Sequence, residues 1–255
     1  MRPVWHVRGA LNLDPMSTLL AFDTATEQMS IALRAGDALW VHESAGAAQA
    51  SAALIPSILG LLAEAGIGVR ALDAIAFGRG PGAFTGLRTS CSVAQGLAFG
   101  AGLPVLPIDS LLAVAEDARK GDAGQRIWVL MDARMDEIYA AQYAFEAGSW
   151  HTLNAPMLTT PALLEEIWRS DAPQVVAGSA LAAFGAALCT GDAVRVPDAL
   201  PRARALLTLA EAAWRAGAAV DAALALPLYV RDKVAQTMAE REAMRRAKSS
   251  AELAS

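Results

Sequence analysis

Residues 77–90, FGRGPGAFTGLRTS, place four glycines and a proline in one short run. An apolar stretch, LDAIAF (72–77), leads into it, and an uncharged, helix-like stretch, CSVAQGLAFGAG (91–102), follows. A strand, a glycine loop and a helix in this order can hold a phosphate, because backbone N–H groups and the positive helix end converge there. The same arrangement also lets a helix dock tightly, since glycine accepts positive φ and close backbone approach. Neither familiar phosphate template is met. GxxxxGK[ST] needs a Lys where Leu87 follows Gly86, and GxGxxG begun at Gly80 and Gly82 ends on Thr85. The pattern leaves both readings open, with structure ahead of phosphate and Thr85 or Thr89 expected to cap the helix.

Upstream of the loop, LLAFDTAT, MSIALRA and ALWVHES read as a three-stranded meander from Leu19 onward. QASAALIPSILGLLAEAG then sets Leu54, Ile55, Ile58, Leu59 and Leu62 at helical spacing, with Gly66 as a stop and Pro56 in the first turn or at a kink. Downstream, the helix beginning at Thr85 is followed by a strand, LPVLPID, and another helix, SLLAVAEDARK. KGDAGQR (120–126) reads as a crossing between two halves. Beyond it the order partly repeats. IWVLMDARMDEIYAAQYAFEAGSW is read as two strands turning at Arg134–Asp136, TTPALLEEIWRS as a helix with a Thr cap, a first-turn Pro and acidic start residues. QVVAGS is a strand, ALAAFGAALC a short helix and RARALLTLAEAAWRAGA a long one. An Asp sits at the hairpin turn of each half, Asp23 and Asp132. Each has two readings: a group for a metal-bound water near a nucleotide, or an Asx-turn closing its hairpin. This layout implies two α/β domains with mixed sheets, over 16–118 and 119–237. Residues 1–15 are expected to be a disordered extension and 238–255 a charged flexible tail.

Composition narrows the function classes. The 255 residues are 55% hydrophobic, 18% charged and 6% aromatic, with net charge −5. That is a globular, helix-rich chain whose acidic surface is poorly suited to gripping nucleic acid alone. Ser44–Ala63 and Thr89–Ile108 reach membrane length but are diluted by small and polar residues, so buried soluble elements are expected. Cys91 and Cys189 stand apart and read as buried reduced thiols, which fits a reducing cytoplasm. His6, His42 and His151 have no i, i+4 partner, so no histidine metal site is expected. The two N-terminal helices have two readings: both cover their own sheet, or they share an apolar partner surface. The second helix carries Gly96-x-x-x-Gly100, which lets helix axes approach closely.

AFDTAT, AFGRGPGAFTGLRTSCSVAQGLA, LMDARMDEIYAAQY and PLYVRDKVAQT together resemble the TsaB family, over about Leu19 to Thr237. The resemblance implies an actin-like (ASKHA) fold of two ribonuclease-H-like domains with mixed sheets flanked by helices. It implies a cytoplasmic, non-catalytic subunit of the complex that transfers a threonylcarbamoyl group to N6 of adenosine 37 in ANN-decoding tRNAs. The partners implied are the catalytic paralogue TsaD and the ATPase TsaE, with tRNA met only through the complex and a homodimer when alone. The paralogue's HxxxH metal pair has no counterpart in AGAAQASAALIPS. Ala25 replaces the glycine of the DxGT hairpin motif, so Asp23, Gly80, Gly82, Thr85 and Gly86 are expected to be a vestigial nucleotide loop, with no cofactor and no metal. The partner surface is expected on Leu54, Ile55, Ile58, Leu59, Leu62, Cys91, Gly96 and Gly100. The competing reading is a free-standing actin-like phosphotransferase using Asp23, Asp132 and the 78–86 loop.

Overall fold

The structure is a computed structural model that describes residues 17–46, 49–121 and 124–231. The expected extension and tail lie outside the described residues. Strands β1 (Leu19–Asp23), β2 (Gln28–Ala35) and β3 (Ala38–Ala45) form the predicted antiparallel meander. Helix α1 (Ala50–Glu64), strand β4 (Ala74–Gly80), helix α2 (Phe84–Ala101) and strand β5 (Val105–Asp109) follow, with β4 and β5 parallel to β1. Helix α3 (Ser110–Ala118) crosses to β6 (Gln125–Asp132), β7 (Ile138–Glu146) and β8 (Ser149–Thr159). Then come α4 (Pro161–Trp168), β9 (Val175–Ala177), α5 (Ala180–Phe184), β10 (Val194–Val196) and α6 (Ala203–Arg215).

Two five-stranded sheets result, in the orders β3-β2-β1-β4-β5 and β10-β9-β6-β7-β8. Read from the meander, the second order is β8-β7-β6-β9-β10, so the two sheets share one topology. The sequence showed only part of this repeat, because two strands of the second sheet escaped it. β8, SWHTLNAPMLT, is an edge strand whose residues are mostly exposed or half-buried and which carries Pro156, so it lacks an apolar alternation. β10 is three residues long, below the length at which a strand pattern is readable.

The layers follow from side-chain size. On β1, Leu20 and Phe22 face one side and Leu19 and Ala21 the other; β4 likewise divides into Ile75 and Phe77 against Ala74 and Ala76. The large residues of the first sheet pack under α1 and α2. Its small-residue face, Ala21, Ala32, Ala74 and Ala76, receives Ala203, Leu206, Leu207 and Ala210 of α6. Helix α3 covers the near face of the second sheet with Leu111, Val114 and Ala115, and α4 and α5 close its far face over Trp128 and Leu130. The division expected at 118–119 follows chain order, whereas α6 packs on the first sheet: alanines there leave room for a helix axis to come close.

Several local expectations are corrected. Helix α2 starts at Phe84 behind Ala83 with no side-chain cap; Thr89 instead donates to the Thr85 carbonyl at 3.0 Å, inside the helix. Of the two placements expected for Pro56, the first turn is excluded, since it lies in the interior of α1. Thr160 does cap α4 ahead of Pro161, but the first turn of α4 carries no acidic residue. Cys91 is buried as expected, while Cys189 is exposed, on a short turn anchored by buried Leu188.

Candidate functional site

The hairpin turns of the two halves face each other across a cavity of about 900 Å³. Both begin with the same device. Asp23 Oδ1 accepts from the Ala25 N–H at 2.6 Å, and Asp132 Oδ1 accepts from the Arg134 N–H at 2.8 Å, so both aspartates close Asx-turns. Each turn is also tied to a serine at the head of a helix. Ser110 Oγ donates to Asp23 Oδ2 at 2.6 Å and accepts from the Gly80 N–H at 3.2 Å; Ser179 Oγ accepts from the Asp132 N–H at 3.2 Å.

The two aspartates then differ. Asp23 is 1% exposed and is absent from the cavity wall, whereas Asp132 lines it. Burial raises the Asp23 carboxyl from 3.8 to about 6, against the lowering effect of the bonds from Ser110 and Ala25. Backbone seals it in. A Cβ at Gly78 would fall 1.7 Å from Asp23 Oδ2, so only glycine allows β4 to pass this close. Gly86 presses α2 onto the same turn, where a Cβ would fall 1.8 Å from the Thr24 carbonyl. Thr24 Oγ1 completes the junction, donating to the Gly86 carbonyl at 2.7 Å and lying 2.7 Å from Ser90 Oγ. Of the five residues expected in a nucleotide loop, Gly82 alone lines the cavity. Gly80 packs on Leu87 and the Leu228 carbonyl, and Gly86 on Thr24; Thr85 is exposed on the first turn of α2.

The charged side chains of the cavity, Glu27, Asp132, Arg134 and Arg231, balance to zero and are engaged with one another or with Glu137. Arg134 reaches Asp132 at 3.1 Å and bridges to Glu27 of the opposite hairpin. The rest of the wall is largely apolar, with Phe84, Leu87, Met131 and Tyr139 prominent. A triphosphate needs unbalanced cationic charge, and both arginines here are already paired. Among the described residues no group of three or more His, Cys, Asp or Glu side chains is placed to hold a metal.

The second candidate surface is the outer face of α1 and α2. The 3.6-residue turn sends Leu54, Ile58 and Leu62 to the sheet, where they and Cys91 join this chain's own core. Burial raises the Cys91 thiol pKa, and its Sγ donates to the Ala225 carbonyl at 3.1 Å. Ile55 and Leu59 point outward, 43% and 49% exposed, and Gly96 and Gly100 are exposed on α2. Phe99, 81% exposed between those glycines, was missed; the small-residue spacing drew attention to the helix but not to the ring it displays. Also missed was the segment after α6, whose Leu228 to Arg231 line the cavity. PLYVRDKVAQT gave a resemblance but no sign of where it packs.

Comparison with known proteins agrees with this geometry. A family model described as "TsaD: tRNA N6-adenosine threonylcarbamoyltransferase" matches residues 43–239. The chain is 35% identical to the tRNA threonylcarbamoyladenosine biosynthesis protein TsaB of Haemophilus influenzae, covering 85% of this chain and 94% of that protein. It is 31% identical to the protein of the same description from Escherichia coli, covering 85% and 96%. The solved structure of YeaZ from Pseudomonas aeruginosa superposes with a TM-score of 0.76 at 37% identity, over 84% of this chain and all of that one. Two mixed five-stranded sheets of common topology, flanked by helices, define an actin-like α/β fold. Within that class, the chain belongs to the TsaB family, and with it to tRNA threonylcarbamoyladenosine biosynthesis.

Proposed function

We propose that this chain is a non-catalytic subunit of the complex that adds a threonylcarbamoyl group to N6 of adenosine 37 in ANN-decoding tRNAs, working in the cytoplasm beside the catalytic TsaD and the ATPase TsaE. The observation that carries this reading is the outer face of α1 and α2. Ile55 and Leu59 on α1 and Phe99, between Gly96 and Gly100 on α2, stand exposed. Large exposed apolar side chains grouped on adjoining helices mark a surface that a partner covers. The sealed Asp23 and the balanced charges of the cleft support a subunit that holds another protein and does not itself transfer phosphate. Alone, the same face suits pairing of two copies.

Leu59→Glu tests the reading, because a half-exposed position accepts a charge without unfolding. Expressed in cells depleted of this protein, it is expected to lose co-purification with TsaD and to leave threonylcarbamoyladenosine in tRNA at the depleted level, as read by mass spectrometry of nucleosides. Wild-type recovery of both would exclude this face.

The cavity gives a second reading, a phosphotransferase, its one point of support. Calorimetry of the isolated chain with Mg-ATP separates the two: micromolar binding with turnover would establish the enzyme, and no heat would retain the subunit.

A further inference from the structure

Residues 225–231 lace the two halves together along the wall of the cleft. On the first half, the Ala225 carbonyl accepts from Cys91 Sγ at 3.1 Å and from Gln95 Nε2 at 2.9 Å on α2. The Leu228 N–H donates to the Arg79 carbonyl at 2.7 Å, near the end of β4. Tyr229 lays its ring 5.5 Å from Phe84, and its hydroxyl accepts from Arg88 Nε at 3.2 Å. On the second half, Val230 packs against the core of β6 and β7, and Arg231 makes the polar connection. Arg231 pairs with Glu137 at 2.7 Å and donates to the carbonyls of Ala133 at 2.9 Å and Arg134 at 3.4 Å. Its side chain is 13% exposed.

The turn that Arg231 grips is unusual. Arg134, Met135 and Asp136 have φ of 63°, 58° and 59°, a run of left-handed residues with no glycine among them. L-residues adopt that region singly and at a cost, so a run of them persists only where surrounding contacts dictate it. Within the turn Glu137 N–H donates to the Arg134 carbonyl at 3.2 Å, the carbonyl that also faces Arg231. The product of this conformation is the position of Arg134, whose guanidinium crosses the cleft to Glu27.

We propose that residues 225–231 are a latch on the cleft, with Arg231 as its catch: Arg231 holds the left-handed β6–β7 turn in the shape that lets Arg134 reach Glu27, and so sets how far the two halves close over the cavity. Arg231 Nη2 faces the Glu137 carboxylate and both carbonyls while Nη1 donates to Met135 Sδ at 3.1 Å, a two-pronged hold on the turn that a lysine ammonium at the end of a flexible stem does not reproduce. Leu226 is 65% exposed and Tyr229 46% exposed, so the polar grip of the strap on the second half rests on the partly buried arginine. Releasing Arg231 frees the turn to relax, withdraws Arg134 from Glu27 and opens the cleft.

The test uses the full chain as wild type, Arg231→Ala and Arg231→Lys. Spin labels sit on Cys189, exposed in the second half, and on a cysteine replacing Asp37, exposed between β2 and β3 of the first. Hydrogen exchange is followed over residues 132–138 and over the cores of β1, β4 and β6. Arg231→Ala is expected to speed exchange over 132–138 about tenfold, with core protection unchanged, and to move the label distance to a longer, broader distribution. An unchanged distance overturns the latch even if exchange at the turn rises, since Arg231 would then brace the turn alone. If Arg231→Ala does not fold, Arg231→Lys is read by the same two measures. It keeps the charge without the fork, so the same lengthening is expected at smaller amplitude, and wild-type distances in a folded Lys variant overturn the proposal.

Discussion

At the scale of single residues, Asp23 shows how a functional-looking side chain becomes structural. Its place at the end of an apolar strand was legible, but not the backbone that closes over its turn at Gly78 and Gly86. Those glycines serve contact between segments of the chain itself: both leave less than 2 Å for a Cβ before Asp23 or Thr24 is met. The buried carboxyl carries a pH signature. Its folded value, about 6, lies above the unfolded 3.8, so the native state holds the proton more tightly. The stabilisation is complete below pH 3.8 and is lost as pH rises through about 6. A shift of this size corresponds to about 3 kcal/mol. Asp23→Asn cannot titrate, so its urea-unfolding free energy should lack the component of wild-type pH dependence that Asp23 supplies between pH 4 and 7. Equal pH dependence in the two proteins would show that Asp23 does not titrate as argued.

At the scale of elements, the helices of the first half were legible because their apolar spacing and their glycine stops are local signals. Which side of each helix met the sheet was not. Leu54 and Ile55 are neighbours in an apolar run, yet one is buried and the other 43% exposed, and only the sheet beneath α1 separates them. Pro56 belongs to the same lesson. Proline lacks the N–H for an interior helical bond and crowds the preceding turn, a cost of up to about 3 kcal/mol. It sits inside α1 all the same, exposed and next to Ile55. Pro56→Ala is expected to raise stability by about 1–3 kcal/mol, seen as a higher urea midpoint at unchanged slope. A lower midpoint would mean that the proline fits α1 without strain. Strands were legible where they are central and continuous in apolar character, as β1 and β4 are. The polar edge strand β8 and the three-residue β10 have no such signal.

At the scale of the whole molecule, the first half depends on a helix from the end of the chain. Without α6, Leu19, Ala21, Ala74 and Ala76 lose their cover, and the burial of Leu206 and Leu207, about 1.5–3 kcal/mol each, is lost with it. A fragment of residues 17–121 is therefore expected to show no cooperative urea transition. The same fragment joined through a flexible linker to 198–231 should regain one, and a sharp transition in the fragment alone would contradict this dependence. The amino-acid sequence by itself determined the repeated strand–turn–strand hairpins, the helix positions, the glycine loop between β4 and α2 and, through its motifs, the family. All of these are written in neighbouring residues, where periodicity, turn chemistry and backbone freedom act over a few positions. Only the tertiary structure decided that Asp23 is sealed while Asp132 faces the cavity, that α6 serves the first sheet, and that Arg231 meets a turn about a hundred residues away in the chain. Those outcomes depend on packing between segments remote in sequence, and local pattern carries no record of which remote surfaces meet.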